Sequence, residues 1–150
     1  MNRLFMETTK IEPEQTVSEI QRVLGKYGVG GVITEYENCE VVGVAFKVNV
    51  SGKDIPFRLP CRWLAVHQVL LSRRKRPNKR SNDEQQAKRI AWRQVLRWVE
   101  AQMALVETNM VKIQEVFMPY VQVSLQGQTL FEKLEQKGFA SLEDKREKKL

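Results

Sequence analysis

A chain of 150 residues suits one domain with a core of its own, and its ordinary apolar content argues against wholesale disorder. Two cysteines are too few for a disulfide framework, and no stretch approaches the roughly 20 apolar residues that a bilayer-spanning helix needs. The net charge of +7 is unevenly placed: residues Ile55 to Glu100 hold twelve Lys/Arg against three acids, a sum of +9, while the rest sums to −2. Charge concentrated in one third of a chain points to a patch that faces an anion.

The N-terminus, Met1 to Lys10, lacks the basic start, apolar run and small-residue cleavage site of a secretory signal, so the cytoplasm is the expected compartment. A short strand is expected around Leu4 to Thr8. Thr16-Val17-Ser18-Glu19 then reads as a capping box opening a helix, with Val17, Ile20, Val23, Leu24 and Tyr27 at helical spacing. Gly28 supplies a left-handed terminus.

From Val29 the period changes to two. Val29 to Tyr36 and Glu40 to Val50 are rich in β-branched residues, with turns at Asn38 and at Ser51-Gly52. Val42, Val44, Phe46, Val48 and Val50 alternate with Val41, Gly43, Ala45, Lys47 and Asn49. Lys53 to Leu59 is predicted as a third strand with Ile55, Phe57 and Leu59 on one face. Pro56 cannot donate to a ladder and places that strand at an edge. Pro60 ends the sheet, and Arg62 to Leu71 is predicted as a short helix with Trp63, Val66, Val69 and Leu70 inward.

A basic loop follows, Ser72 to Arg80, broken by Pro77. Ser81 or Asn82 is expected to cap the longest helix, which runs to about Val106, with Asp83 and Glu84 near its positive end. Ala91, Val95, Trp98, Val99 and Val106 make its apolar face, and Arg89, Arg93 and Arg97 recur four apart on the opposite face. Thr108-Asn109 ends it. Gln126-Gly127 reads as a turn, and Thr129-Leu130-Phe131-Glu132 as a second capping box whose helix closes at Gly138 with Phe139 folding back on it. The fold class is therefore α+β: a helix, a three-stranded antiparallel meander, a short helix, one long helix and a short C-terminal helix. Residues 1–139 form the expected single domain and 140–150 a charged, frayed tail.

Enzyme chemistry has little support in the residues. His67 is the only histidine, and with Cys39 and Cys61 it matches no metal-ligand spacing, so no metal or cofactor is expected. The glycines of Gly28-Val29-Gly30-Gly31 follow a helix, whereas a phosphate-cradling loop precedes one. Glu35, Glu37, Glu40 and Asp54 gather near the sheet turns but read as solvated turn residues.

The positive signal is basic. Between Asp54 and Asp83 there is no acid, while Arg58, Arg62, Arg73, Arg74, Lys75, Arg76, Lys79 and Arg80 supply eight cations. Mutual repulsion disfavours such a run unless an anion offsets it, and the phosphate backbone is the commonest such anion. The expected nucleic-acid-binding set is Arg73, Arg74, Lys75, Arg76, Lys79 and Arg80 of the loop with Arg89, Arg93 and Arg97 of the helix. Trp92, between two of those arginines, is the candidate base-stacking ring.

The strings Ile55-Pro56-Phe57-Arg58-Leu59-Pro60, Ala91-Trp92-Arg93-Gln94-Val95-Leu96-Arg97-Trp98-Val99-Glu100-Ala101-Gln102 and Thr129-Leu130-Phe131-Glu132-Lys133-Leu134 together resemble a widespread family of small uncharacterised bacteriophage and prophage proteins. The resemblance extends over nearly the whole chain and implies an intracellular viral context, often beside genes of DNA metabolism; it carries over no catalytic residue. The element order is also similar to that of double-stranded-RNA-binding domains and of the core of single-strand annealing proteins, without a specific motif of either. The leading expectation is a non-enzymatic protein of phage DNA metabolism that binds nucleic acid, single-stranded DNA above all, through phosphate contacts. Alternatives are a counter-defence protein that inhibits a host complex or sequesters a nucleotide signal, and an assembly role as a homo-oligomer. No membrane partner is expected.

Overall fold

The computed structural model describes residues 2–73 and 83–144. Helix α1 spans Pro13–Lys26 and begins a turn before the expected start at Thr16. Pro13 stands in the first turn, where its missing N–H costs nothing and its fixed φ suits the helix, while Glu12 takes the extended N-cap conformation without a side-chain cap. Thr16 is thereby moved into the helix and is fully buried. Gly28, at φ +78°, supplies the predicted left-handed turn beyond the helix. The strand expected around Leu4 to Thr8 is instead a run of turns with Met6 at φ +66°.

Strands β1 (Gly30–Glu37), β2 (Glu40–Val50) and β3 (Lys53–Leu59) form an antiparallel meander in sequence order. Asn38-Cys39 and Ser51-Gly52 hold positive φ at both positions, the hairpin geometry whose twist matches the flanking strands. Phe46 pairs with Val32 on one side and Phe57 on the other, which sends Val44, Phe46, Val48, Phe57 and Leu59 to one buried face. The strict alternation of β2 breaks at its start. Glu35 pairs with Gly43 but Tyr36 pairs with Val41, so Val42 is the extra residue of a bulge; Val41 is buried and Val42 points out. Pro56 lies on the outer strand, as expected, and that edge is partly covered: the Gln122 amide donates to the Pro56 carbonyl at 2.9 Å and Phe57 bridges Val121.

Helix α2 (Trp63–Ser72) packs on the long helix α3 (Asp83–Glu107), which packs on α1 as well. Two helical neighbours explain why α3 buries more than the predicted stripe. Ala87, Ile90, Trp92, Leu96 and Met103 are buried beside Ala91 and Val99. Together with Ile20 and Leu24 of α1 they close over the inner sheet face, where Phe46 stacks on Phe57 at 5.3 Å and meets the edge of Phe117 at 5.5 Å.

Asn109, at φ +59°, ends α3 where Thr108-Asn109 was expected to. A single helical turn α4 (Ile113–Val116) and a 3₁₀ turn (Met118–Tyr120) lead to α5 (Leu130–Gln136). Thr129 caps α5 as its sequence predicts, its hydroxyl accepting from the Glu132 amide at 3.2 Å. Phe139 folds back to 5.9 Å from Phe131. Of the expected tail, Ala140–Leu142 form a 3₁₀ turn and residues 145–150 lie outside the described residues. The order of helix, three antiparallel strands and helices is the α+β layout read from the sequence. Among the described residues no helix is long and apolar enough to cross a membrane.

Candidate nucleic-acid interface

The basic segment expected as a loop lies in the sequence between α2 and α3. Arg73 closes α2 and its guanidinium Nη1 donates to the Asn2 carbonyl at 3.0 Å. Arg74, Lys75, Arg76, Lys79 and Arg80 lie outside the described residues, as do the cap candidates Ser81 and Asn82.

The arginine row of α3 is not the free solvent face that its spacing predicts. Arg89 pairs with Glu12 at the start of α1, Nη2 to Oε1 at 2.7 Å. Arg93 is only 4 % exposed and forms an ion pair with Glu19, with the Thr16 hydroxyl 3.4 Å from the same nitrogen. Arg97 reaches its own helix neighbour Glu100 at 2.6 Å. Four-residue spacing does put these side chains on one side of α3, but at Arg89 and Arg93 that side meets α1. Glu12 and Glu19, seven apart along α1, supply the matching acidic row. That complementarity was the one signal in the sequence that could have revealed the pairing.

Trp92 is corrected with them. It is 1 % exposed and belongs to the core, so it cannot present a face to a base. A single-helix projection left it on a flank, and in the fold that flank belongs to the core shared with the inner sheet face and α1.

Lys88 completes the neutralisation of α3. Its ammonium lies 2.6 Å from Glu40 and 3.4 Å from Glu84, and 4.7 Å from the centre of the Trp63 ring. Hydrogen bonding to Lys88 holds the Glu40 carboxyl below the usual carboxylate range, and the same bond raises the Lys88 ammonium above the usual lysine value. The four cations of α3 therefore all have carboxylate partners. By contrast, the segment Arg73 to Arg80 contains six cations and no acid, and the rest of the chain sums to only +1.

At the far end of the α2–α3 pair, two open depressions share Pro60, Arg62 and Tyr120. The larger, about 540 Å³, is lined also by Arg58, Cys61, Phe131, Glu132 and Glu135. The smaller, about 410 Å³, runs between α2 and α3 along Ala65, Val66, Ala91, Val95 and Trp98. The Arg62 guanidinium sits 5.7 Å from the Phe131 ring centre, and Trp98 meets Tyr120 edge-on at 5.4 Å. Arg58 is held across the small Gly43 by Glu35, which accepts from Nε and Nη2 at 3.0 Å each. Sequence reasoning missed Tyr120 and Phe131, which are distant in the chain and reach Arg62 only through the fold.

The residues weighed for catalysis do not converge. Burial pushes the Cys61 thiol up to about 12, far from a nucleophilic thiolate at neutral pH. His67 lies against Trp63, ring centres 6.1 Å apart. Glu35 pairs with Arg58, Glu40 with Lys88, and Asp54 accepts from Asn49. Among the described residues no group of three or more His, Cys, Asp or Glu side chains is placed to hold a metal ion. Comparison with protein-family models, with curated proteins and with solved structures finds no match.

Proposed function

We propose that this protein is a non-enzymatic nucleic-acid-binding protein of phage DNA metabolism that acts in the host cytoplasm on single-stranded DNA. The loop Arg73, Arg74, Lys75, Arg76, Lys79 and Arg80 makes the phosphate contacts. The observation that carries this reading is the division of charge: each cation of α3 has a carboxylate partner, and the unbalanced charge of the sequence lies in one short segment. Six cations without an acid repel one another, and a phosphate backbone relieves that repulsion while releasing its counterions. Arg93 leaves the binding set because it is buried against Glu19, and Arg89 because its guanidinium is already paired with Glu12. Contacts confined to phosphate predict little sequence preference. Titration of labelled single and double strands across a salt series tests this; no binding to either at low salt overturns it.

A second reading is supported by α2. No residue of this uncharged helix is fully buried; Leu64 (58 % exposed) lies open in its first turn and Leu71 in its last, just before Arg73. An apolar strip beside cations also suits a partner protein with an acidic rim, such as a host complex that a counter-defence protein inhibits. Pull-down before and after nuclease treatment separates the two: retention by nucleic acid is lost with nuclease, and a protein partner is kept.

A further inference from the structure

We propose that the connected depressions around Arg62 and Tyr120 hold unstacked bases of the single strand whose phosphates the basic loop neutralises; the inference rests on the nucleic-acid reading. Both depressions are open to solvent and adjoin at Pro60, Arg62 and Tyr120, so they lie side by side as the two halves of one channel-like surface. Its near end lies between α2 and α3, the two helices that carry the loop. Val66 is seven residues before Arg73, roughly 10 Å along the helix axis. A strand that touches Arg73 at the end of α2 thus reaches the depression that Val66 lines within a few nucleotides.

The chemistry of the walls fits bases better than a uniformly anionic ligand. Trp98, Tyr120 and Phe131 bring aromatic surface to the channel, which any base can use because every base has a π-face. Arg62 is exposed and already lies over Phe131, the cation-on-ring arrangement found where single strands are bound. Glu132 and Glu135 on the α5 wall repel phosphate but accept hydrogen bonds from base amino and imino groups. Glu132 and Glu135 therefore turn the sugar-phosphate chain away from α5, while Arg62 and Phe131 together offer a stacking face to the bases. A duplex keeps its bases stacked and paired and cannot enter, so this channel, and not the loop, supplies the preference for single strands.

The test compares an oligothymidylate with an abasic strand of the same length and with a duplex, on the intact chain and on Arg62→Ala and Tyr120→Leu. The abasic strand keeps the phosphates and lacks the rings. The intact protein is expected to bind the base-bearing strand about tenfold or more tighter than the abasic one. Each variant is expected to shrink that ratio towards one while leaving the salt dependence unchanged, because the loop sets it. Arg62 is solvent-exposed, so its variant keeps the test valid if Tyr120→Leu does not fold. Equal binding of base-bearing and abasic strands by the intact protein overturns the channel while leaving the loop reading in place. So does an undiminished ratio in a folded Arg62→Ala variant. Failure to bind any strand overturns both.

Discussion

Replacing Glu19 by alanine leaves the Arg93 guanidinium in the α1–α3 interface without its carboxylate, facing only the Thr16 hydroxyl. Arg93 is 4 % exposed and its Nε already lacks a hydrogen-bond partner, so the stranded charge has almost no access to water. Breaking a buried pair in this way costs about 3–5 kcal/mol. The converse change is milder. Arg93→Met removes the buried charge and keeps the apolar stem, and the remaining Glu19 side chain, 35 % exposed, can hydrate. Its expected cost is about 1 kcal/mol, and the double variant should be more stable than Glu19→Ala alone. Urea denaturation of the four proteins measures the cycle, and in thermal melts Glu19→Ala should lose on the order of 10 °C at this chain length. If Glu19→Ala falls within about 0.5 kcal/mol of a surface control such as Arg97→Ala, the buried-pair reasoning is wrong.

The Glu40–Lys88 pair gives stability a defined pH dependence. Because Glu40 is lowered in the folded state, its contribution is present above the ordinary carboxylate range and is lost as acid brings the pH down through the lowered value. Because Lys88 is raised, its share is lost only as alkali carries the pH up through the raised value; denaturation of Glu40→Gln across pH should show both limbs flattened. Of the two thiols, exposed Cys39 should react with a thiol reagent much faster than Cys61, whose partial burial raises its thiol; equal rates in the native protein would contradict that difference. Thr129→Ala removes the α5 cap and should cost about 1 kcal/mol in a denaturation midpoint analysis.

The elements that sequence reasoning located well are those whose signals are local. The two hairpin turns, the β3 face of Ile55, Phe57 and Leu59, and the Thr129 cap each depend on neighbours a few residues away. Thr16 failed as a cap because Pro13 offers an equally local and earlier start. Val42 breaks the expected alternation of β2 because a bulge is set by pairing with β1, which the period of β2 alone does not encode. The arginine row and Trp92 failed for a third reason. A helix wheel assigns one buried face, but α3 meets α1 on the side of Arg89 and Arg93 and the core under the sheet on the side of Trp92. The Arg62, Tyr120 and Phe131 channel was invisible because three separate parts of the chain build it.

The division between structural and ligand-facing cations is tested most directly by the salt dependence of single-strand binding. Six phosphate contacts predict that log affinity falls against log salt with a slope near −4, at about 0.7 per contact. Changing Arg74, Arg76 and Lys79 to glutamine should cut that slope by about half with the melting temperature kept, whereas Arg89→Gln should lower stability and leave the slope unchanged. A slope that survives the loop changes and collapses in a folded Arg89→Gln variant would contradict this account.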